Sequence, residues 1–234
     1  MGNILYKKET LQNICNKNVF DIENKYIKFN YEFGYMYSES SYYIYDKKLK
    51  FITPAISKCC NSSIKYQILK DLLGENTTKE LYNGDMMNIH KLIIYLADHC
   101  VSLNINDKQF DDYIKFAVYR DPMDRLLSLY NHQPMNFSDN NIEKYLIENQ
   151  ELCNQHIRKQ SSFYNLNDIQ YLITSKNLSK FFINKFNVNL DKINESNKSL
   201  NNIVSSSKEN IIKKYYEDDY ILFENAKQYN KLYE

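Results

Sequence analysis

The stretch "YIKFAVYRDPMDRLLSLYNH", Tyr113 to His132, restricts the possible folds more than any other part of the chain. An apolar run from Ile114 to Tyr119 ends at Arg120-Asp121-Pro122, and Met123, Leu126, Leu127 and Tyr130 then follow at helical spacing. Pro122 suits the first turn of that helix, where its missing N–H costs nothing. An apolar strand that leads into a helix predicts an interior strand of a parallel sheet, covered on both faces.

A second unit of the same kind comes earlier. "YYIYDKKLKFITPAI" reads as two strands around a turn at Asp46-Lys47-Lys48. The second strand enters a short polar segment, after which Ile64, Ile68, Leu69 and Leu72 lie at helical spacing and Gly74 closes the helix. Two strand, loop and helix units predict an α/β fold with a central parallel sheet flanked by helices. "GENTTKE" reads as a polar stretch, "MMNIHKLIIYLADHC" as mostly helix, and "NIEKYLIEN" as a short amphipathic helix. "NDIQYLITSKNLSKFFINKF" reads as a strand followed by a helix, "NKSLNNIVSSSKEN" as a polar loop, and the last 26 residues as one or two closing helices. With no internal repeat and no Pro/Gly linker, a single domain over residues 1–234 is expected. Residues 1–40 would form an N-terminal extension or an element beside the substrate, and residues 41–234 the core.

Composition narrows the partners. Thirty bases against 29 acids argue against a protein that coats nucleic acid, while a local basic pocket for a small polyanion fits. Five cysteines without a CxxC pair give no zinc or disulfide framework, so a reduced setting is expected. No apolar run reaches the length of a signal peptide or a membrane span, and the expected location is cytoplasmic, with peripheral membrane association only if the acceptor is lipid-linked.

The polar segment "SKCCNSSIK" joins a strand to a helix N-terminus, where the first backbone N–H groups have no partner inside the helix and attract anions. Lys58, Ser62, Ser63 and Lys65, with Asn61 beside them, are placed to add to such a site. The competing reading is a plain helix cap at Asn61 or Ser62 with solvated lysines. There is no GxxxxGK[ST] and no glycine between Lys50 and Leu73, which argues against a Walker loop. Arg120 emerges at the end of the other strand, with Ser128 eight positions on. Ligands of open α/β sheets collect beyond the carboxyl ends of the strands, and an arginine fork suits a phosphate monoester. Its alternative is an ion pair with Asp121 or Asp124.

Together the two stretches resemble the PAPS-dependent carbohydrate sulfotransferases of the family 2 type, in a bacterial member. "SKCCNSSIK" is similar to that family's "PKxxCTSxK" donor loop, with Lys58, Ser62, Ser63 and Lys65 in register. "FAVYRDPMDRLLSLY" resembles "FVRDPxxRLxSxY" and matches Arg120, Asp121, Pro122, Arg125, Leu126, Ser128 and Tyr130. Weaker similarities follow in order: "NQHIRKQ" to "xxHWRPQ", "IQYLITSKNL" to "YDFIGxxENL", "INESNKS" to "LPHxNxS", and "YYEDDYILF" to "YxxDYxLF". The chain departs from the pattern at Ser57, Ile157, Lys159 and Lys176, where the family has Pro, Trp, Pro and Glu.

The resemblance implies a P-loop-like, three-layer fold and transfer of a sulfuryl group from PAPS (3′-phosphoadenosine 5′-phosphosulfate) to a carbohydrate hydroxyl on a glycan, capsule or glycolipid. Adenosine 3′,5′-bisphosphate would be the product, with no metal required. Lys58 would neutralise the leaving oxygen, Ser62 and Ser63 would hold the 5′-phosphate, and Arg120 and Ser128 the 3′-phosphate. Lys65 would face the donor or the solvent. The general base would be His90 or His156, with Glu80 or Asp85 as acidic alternatives. Two other readings stay open: a kinase-like phosphotransferase, and a non-catalytic nucleotide-binding or scaffold protein that kept the fold.

Overall fold

The computed structural model describes residues 8–17, 42–132, 144, 146–147, 156–191, 193 and 206–233. Strands β1 (Tyr43–Asp46) and β2 (Phe51–Pro54) form an antiparallel hairpin, with Tyr43 opposite Pro54 and Asp46 opposite Phe51. Asp46 closes the turn, because its Oδ1 accepts the amides of Lys48 and Leu49 at 2.8 and 2.9 Å. Strand β2 pairs in parallel with β4 (Ile114–Tyr119), β4 with β5 (Tyr171–Thr174), and β5 with β6 (Leu232–Tyr233). The two-residue β3 (Val101–Ser102) adds antiparallel to β1, giving the order β3-β1-β2-β4-β5-β6. The expected α/β fold is present, with a parallel centre and an antiparallel margin.

Aromatic packing seals one face of the sheet. Phe51 and Phe116 meet across neighbouring strands at a centroid distance of 5.5 Å, and on the helix over Leu178–Phe186 Phe182 meets Phe51 at 5.4 Å and Phe181 meets Phe116 at 5.1 Å. All four rings are fully buried, each removing about 1.5–3 kcal/mol of apolar exposure. The helix α2 (Asn61–Leu73) is buried without a break from Ser63 to Leu69. It lies between β1 on one side and the helices α3 (Glu75–Tyr82) and α4 (Met86–Tyr95) on the other. Helix α1 (Lys8–Cys15) packs on α3 and α4 through Leu11 and Ile14.

Two expectations need correction, and two short strands had not been expected. "GENTTKE" opens α3, in which Leu81 is buried and Thr78 bonds back to the Gly74 carbonyl at 2.9 Å. The polar loop ends earlier than expected, since Ser206–Tyr215 is helical and α9 (Glu217–Gln228) follows. β3 and β6 are too short to carry a strand period, so their pairing with β1 and β5 had no local signal. "NIEKYLIEN" lies for the most part outside the described residues. Among those residues no helix is long and apolar enough to cross a membrane.

Candidate active site

Strands β2 and β4 run side by side in the same direction, so the loops leaving their carboxyl ends meet. The first of these loops is Ala55–Cys60. It turns into α2 by placing two side-chain-bearing residues in the left-handed region, Lys58 at φ 66° and Cys60 at φ 56°. Left-handed residues flanking a loop expose successive amides to an anion, a task usually given to glycine. Cys60, in the N-cap position, makes no side-chain capping bond. Its carbonyl takes the amides of Ser63 and Ile64 at 3.1 and 3.3 Å. The expected caps Asn61 and Ser62 therefore sit inside the first turn, and the bland capping reading does not hold. The Oδ1 of Asn61 is buried without a hydrogen-bond partner among the described residues.

Ser62 is half-buried and makes no hydrogen bond to the protein among the described residues. Ser63 is buried, and its hydroxyl oxygen accepts the Ile193 amide at 3.1 Å, leaving its proton for another acceptor. The Lys58 ammonium is half-buried. Burial, and then the nearby Arg120 guanidinium, push its pKa down to about 8.

Arg120 leaves the end of β4, and its Nη1 donates to the Lys58 carbonyl at 3.1 Å, which brings the second strand end onto the loop Ala55–Cys60. Neither Asp121 nor Asp124 forms an ion pair with it among the described residues. Asp121 instead caps the next helix, α6 (Pro122–His132), its Oδ1 accepting the amides of Met123 and Asp124 at 2.9 and 3.2 Å. Ser128 lies two turns into α6 and is 7% exposed, so it faces into the fold.

Other residues hold these arms, and the sequence reading gave them no role. Arg125, 1% exposed, donates from Nε to the Ser57 carbonyl at 3.0 Å and from Nη1 to the Arg158 carbonyl at 2.7 Å. That contact fixes the loop entry where the family's proline is replaced by Ser57. Gln160, fully buried, accepts the Arg120 amide at 3.0 Å and the Cys59 thiol at 3.2 Å, and returns a bond to the Arg120 carbonyl at 2.7 Å. Burial pushes the Cys59 thiol up to about 12, so it stays protonated and able to donate. Asp219, also fully buried, accepts the amides of Gln160 and Ser161 at 2.9 and 2.8 Å. The signals for Gln160 and Asp219 were the two weak similarities "NQHIRKQ" and "YYEDDYILF".

Beside this frame Lys65 is buried and is not a solvated helix lysine. Its Nζ meets the Tyr42 hydroxyl at 3.1 Å and Nδ1 of His90 at 3.3 Å. An ammonium can only donate, so Nδ1 of His90 accepts and its proton sits on Nε2. Burial, then Lys65, then His156 drive the His90 pKa down to about 3. His156 thus lies within electrostatic reach of the same cluster. Asp85 is occupied as the cap of α4, accepting the Met87 amide at 2.8 Å, and Glu80 is exposed on α3. The side chain of His132 lies outside the described residues.

Adjacent ends of parallel strands thus offer a loop that opens onto a helix N-terminus and an arginine, an arrangement suited to an anion within an α/β fold. The profile of the sulfotransferase family matches residues 41–171, more than half of the chain. The protein belongs to the sulfotransferase family, in its second branch. No curated protein and no solved structure matches the chain.

Proposed function

We propose that the protein transfers the sulfuryl group of PAPS to a carbohydrate hydroxyl, releasing adenosine 3′,5′-bisphosphate. The observation that carries this reading is the 3.1 Å bond from Arg120 to the Lys58 carbonyl, because it ties two anion-binding elements into one cleft end. In this reading the Asn61 and Ser62 amides, with the Ser62 and Ser63 hydroxyls, take the 5′-phosphate. Arg120 and Ser128 take the 3′-phosphate. ATP has no 3′-phosphate for that second arm.

The reaction resembles phosphoryl transfer, in which a loose, in-line transition state is served by positioning and by neutralising charge. As the acceptor oxygen bonds to sulfur, the bond from sulfur to the bridging oxygen breaks and its electron pair stays on the 5′-phosphate. The Lys58 ammonium stabilises that growing charge. The acceptor proton goes to His156. His90 is a poor base, because its Nδ1 accepts from Lys65 and its pKa is held near 3. It serves as a neutral Nε2–H donor, with Lys65 fixing its tautomer.

Incubation with radiolabelled PAPS and a panel of glycan and glycolipid acceptors tests the reading. Label should move to carbohydrate, and Arg120→Ala should weaken donor binding about 10- to 100-fold, the effect of losing a charge-assisted hydrogen bond. Transfer of phosphate from ATP to the same acceptors would refute it.

A further inference from the structure

We propose that Gln160 is a positioning residue that locks the two donor arms together and so sets selectivity for a donor carrying a 3′-phosphate. This rests on the donor assignment proposed above. The Gln160 amide is fully committed. Its Oε1 receives the Arg120 amide at 3.0 Å and the Cys59 thiol at 3.2 Å, and its Nε2 gives to the Arg120 carbonyl at 2.7 Å and to Asp219 Oδ2 at 3.5 Å. Two acceptor sites and two N–H donors exhaust what a primary amide offers. The orientation of the amide is set by its partner, since the reverse would oppose donor to donor and acceptor to acceptor at Arg120.

Gln160 is itself held from below. Its own amide and that of Ser161 both end on the buried Asp219 carboxylate, in the first turn of α9. The chain from α9 through Gln160 to the end of β4 is therefore rigid before any ligand arrives. Such preorganisation raises affinity by removing ordering costs from binding.

The two arms do not depend on Gln160 equally. The loop Ala55–Cys60 is also held by Arg125 at Ser57 and by Arg120 at Lys58. The Arg120 main chain has both its N–H and its carbonyl on Gln160. Disturbing Gln160 loosens the arginine first, so it penalises ligands that use the arginine more than ligands that do not. A residue needed only for stability would weaken both ligand types alike.

The experiment is calorimetric titration of adenosine 3′,5′-bisphosphate and of adenosine 5′-monophosphate, at a temperature well below each variant's Tm. Gln160→Glu keeps the shape but faces the Arg120 carbonyl with a second acceptor. Gln160→Met keeps the volume without charge and covers the case in which the first variant fails to fold. In either variant the preference for the bisphosphate over the monophosphate should fall about tenfold or more from its wild-type value. A preference within twofold of wild type in a folded variant overturns the proposal and leaves the donor assignment standing. A wild-type protein that shows no preference for the bisphosphate overturns both.

Discussion

Lys58 and Cys60 show how individual residues carry the site. Burial and Arg120 lower the Lys58 pKa to about 8, below its ordinary value, so the folded chain binds this proton less tightly than the unfolded chain does. Two consequences follow in opposite directions. In the proposed reaction the ammonium is needed, and kcat/KM for the donor should fall as pH rises through about 8, whereas Lys58→Arg, which stays charged, should lose that alkaline limb. A wild-type profile flat to pH 9.5 would contradict the role. For stability, the cost of the buried charge is fully present below pH 8 and disappears as pH rises towards the unfolded value of about 10.5. Lys58→Met should therefore raise Tm at pH 7 while abolishing turnover, with the gain shrinking by pH 10. Cys60 bears a different strain, that of a side chain at φ 56°. Cys60→Gly should stabilise by up to about 1 kcal/mol and Cys60→Val should destabilise by more than about 1 kcal/mol in denaturant unfolding. Equal stabilities would show that the loop does not hold this conformation.

Among the elements, the hairpin β1–β2 and helix α2 form a unit that joins the sheet to the loop Ala55–Cys60. At its far end the buried Asp46 lies against Asp71 of α2, and Asp71 also binds Lys48 and the Gln67 amide. Burial, with Asp71 adding to it, pushes the Asp46 carboxyl up to about 7, although the Leu49 and Lys48 amides oppose this. The folded state thus retains a proton that the unfolded chain releases near pH 4, so this stability is fully present below about pH 4 and is lost as pH rises from there to about 7. Asp46→Asn can keep both turn bonds and donate to Asp71. It should match wild type near pH 3 and exceed it in Tm at pH 8, and a constant difference across that range would contradict the role of this carboxyl. These elements were largely legible in the chain. Apolar runs and helical spacing gave β2, β4, β5, α2 and α6, because burial on a sheet imposes those patterns. β3 and β6 escaped because two-residue strands are held by tertiary pairing alone, and α3 escaped because its polar residues face solvent around Thr78 and Leu81.

At the scale of the whole molecule, the site is assembled from segments far apart in sequence. Lys58, Arg120, Gln160 and Asp219 come from four regions of the chain and meet at one end of the sheet. The sequence motifs singled out Lys58 and Arg120, because the chemistry of phosphate recognition restricts the residue types, and the fold brings the two together at 3.1 Å. Motifs could not assign the supporting bonds of Arg125, Gln160 and Asp219, since a buried amide or carboxylate is defined by partners that only the fold supplies. The same holds for His90, which spacing alone left equal to His156 until the contact with Lys65 fixed its tautomer. Helix α1 closes the arrangement from the N-terminal side, packing on α4, the helix that carries His90. In the proposed function the ends of β2 and β4 bind a nucleotide phosphorylated at both ends of its ribose. Thermal unfolding in the presence of adenosine 3′,5′-bisphosphate or ATP tests it most directly, since a ligand bound only by the native state raises Tm. The bisphosphate should raise Tm by several degrees at concentrations where ATP has little effect; an equal or larger shift with ATP would contradict it.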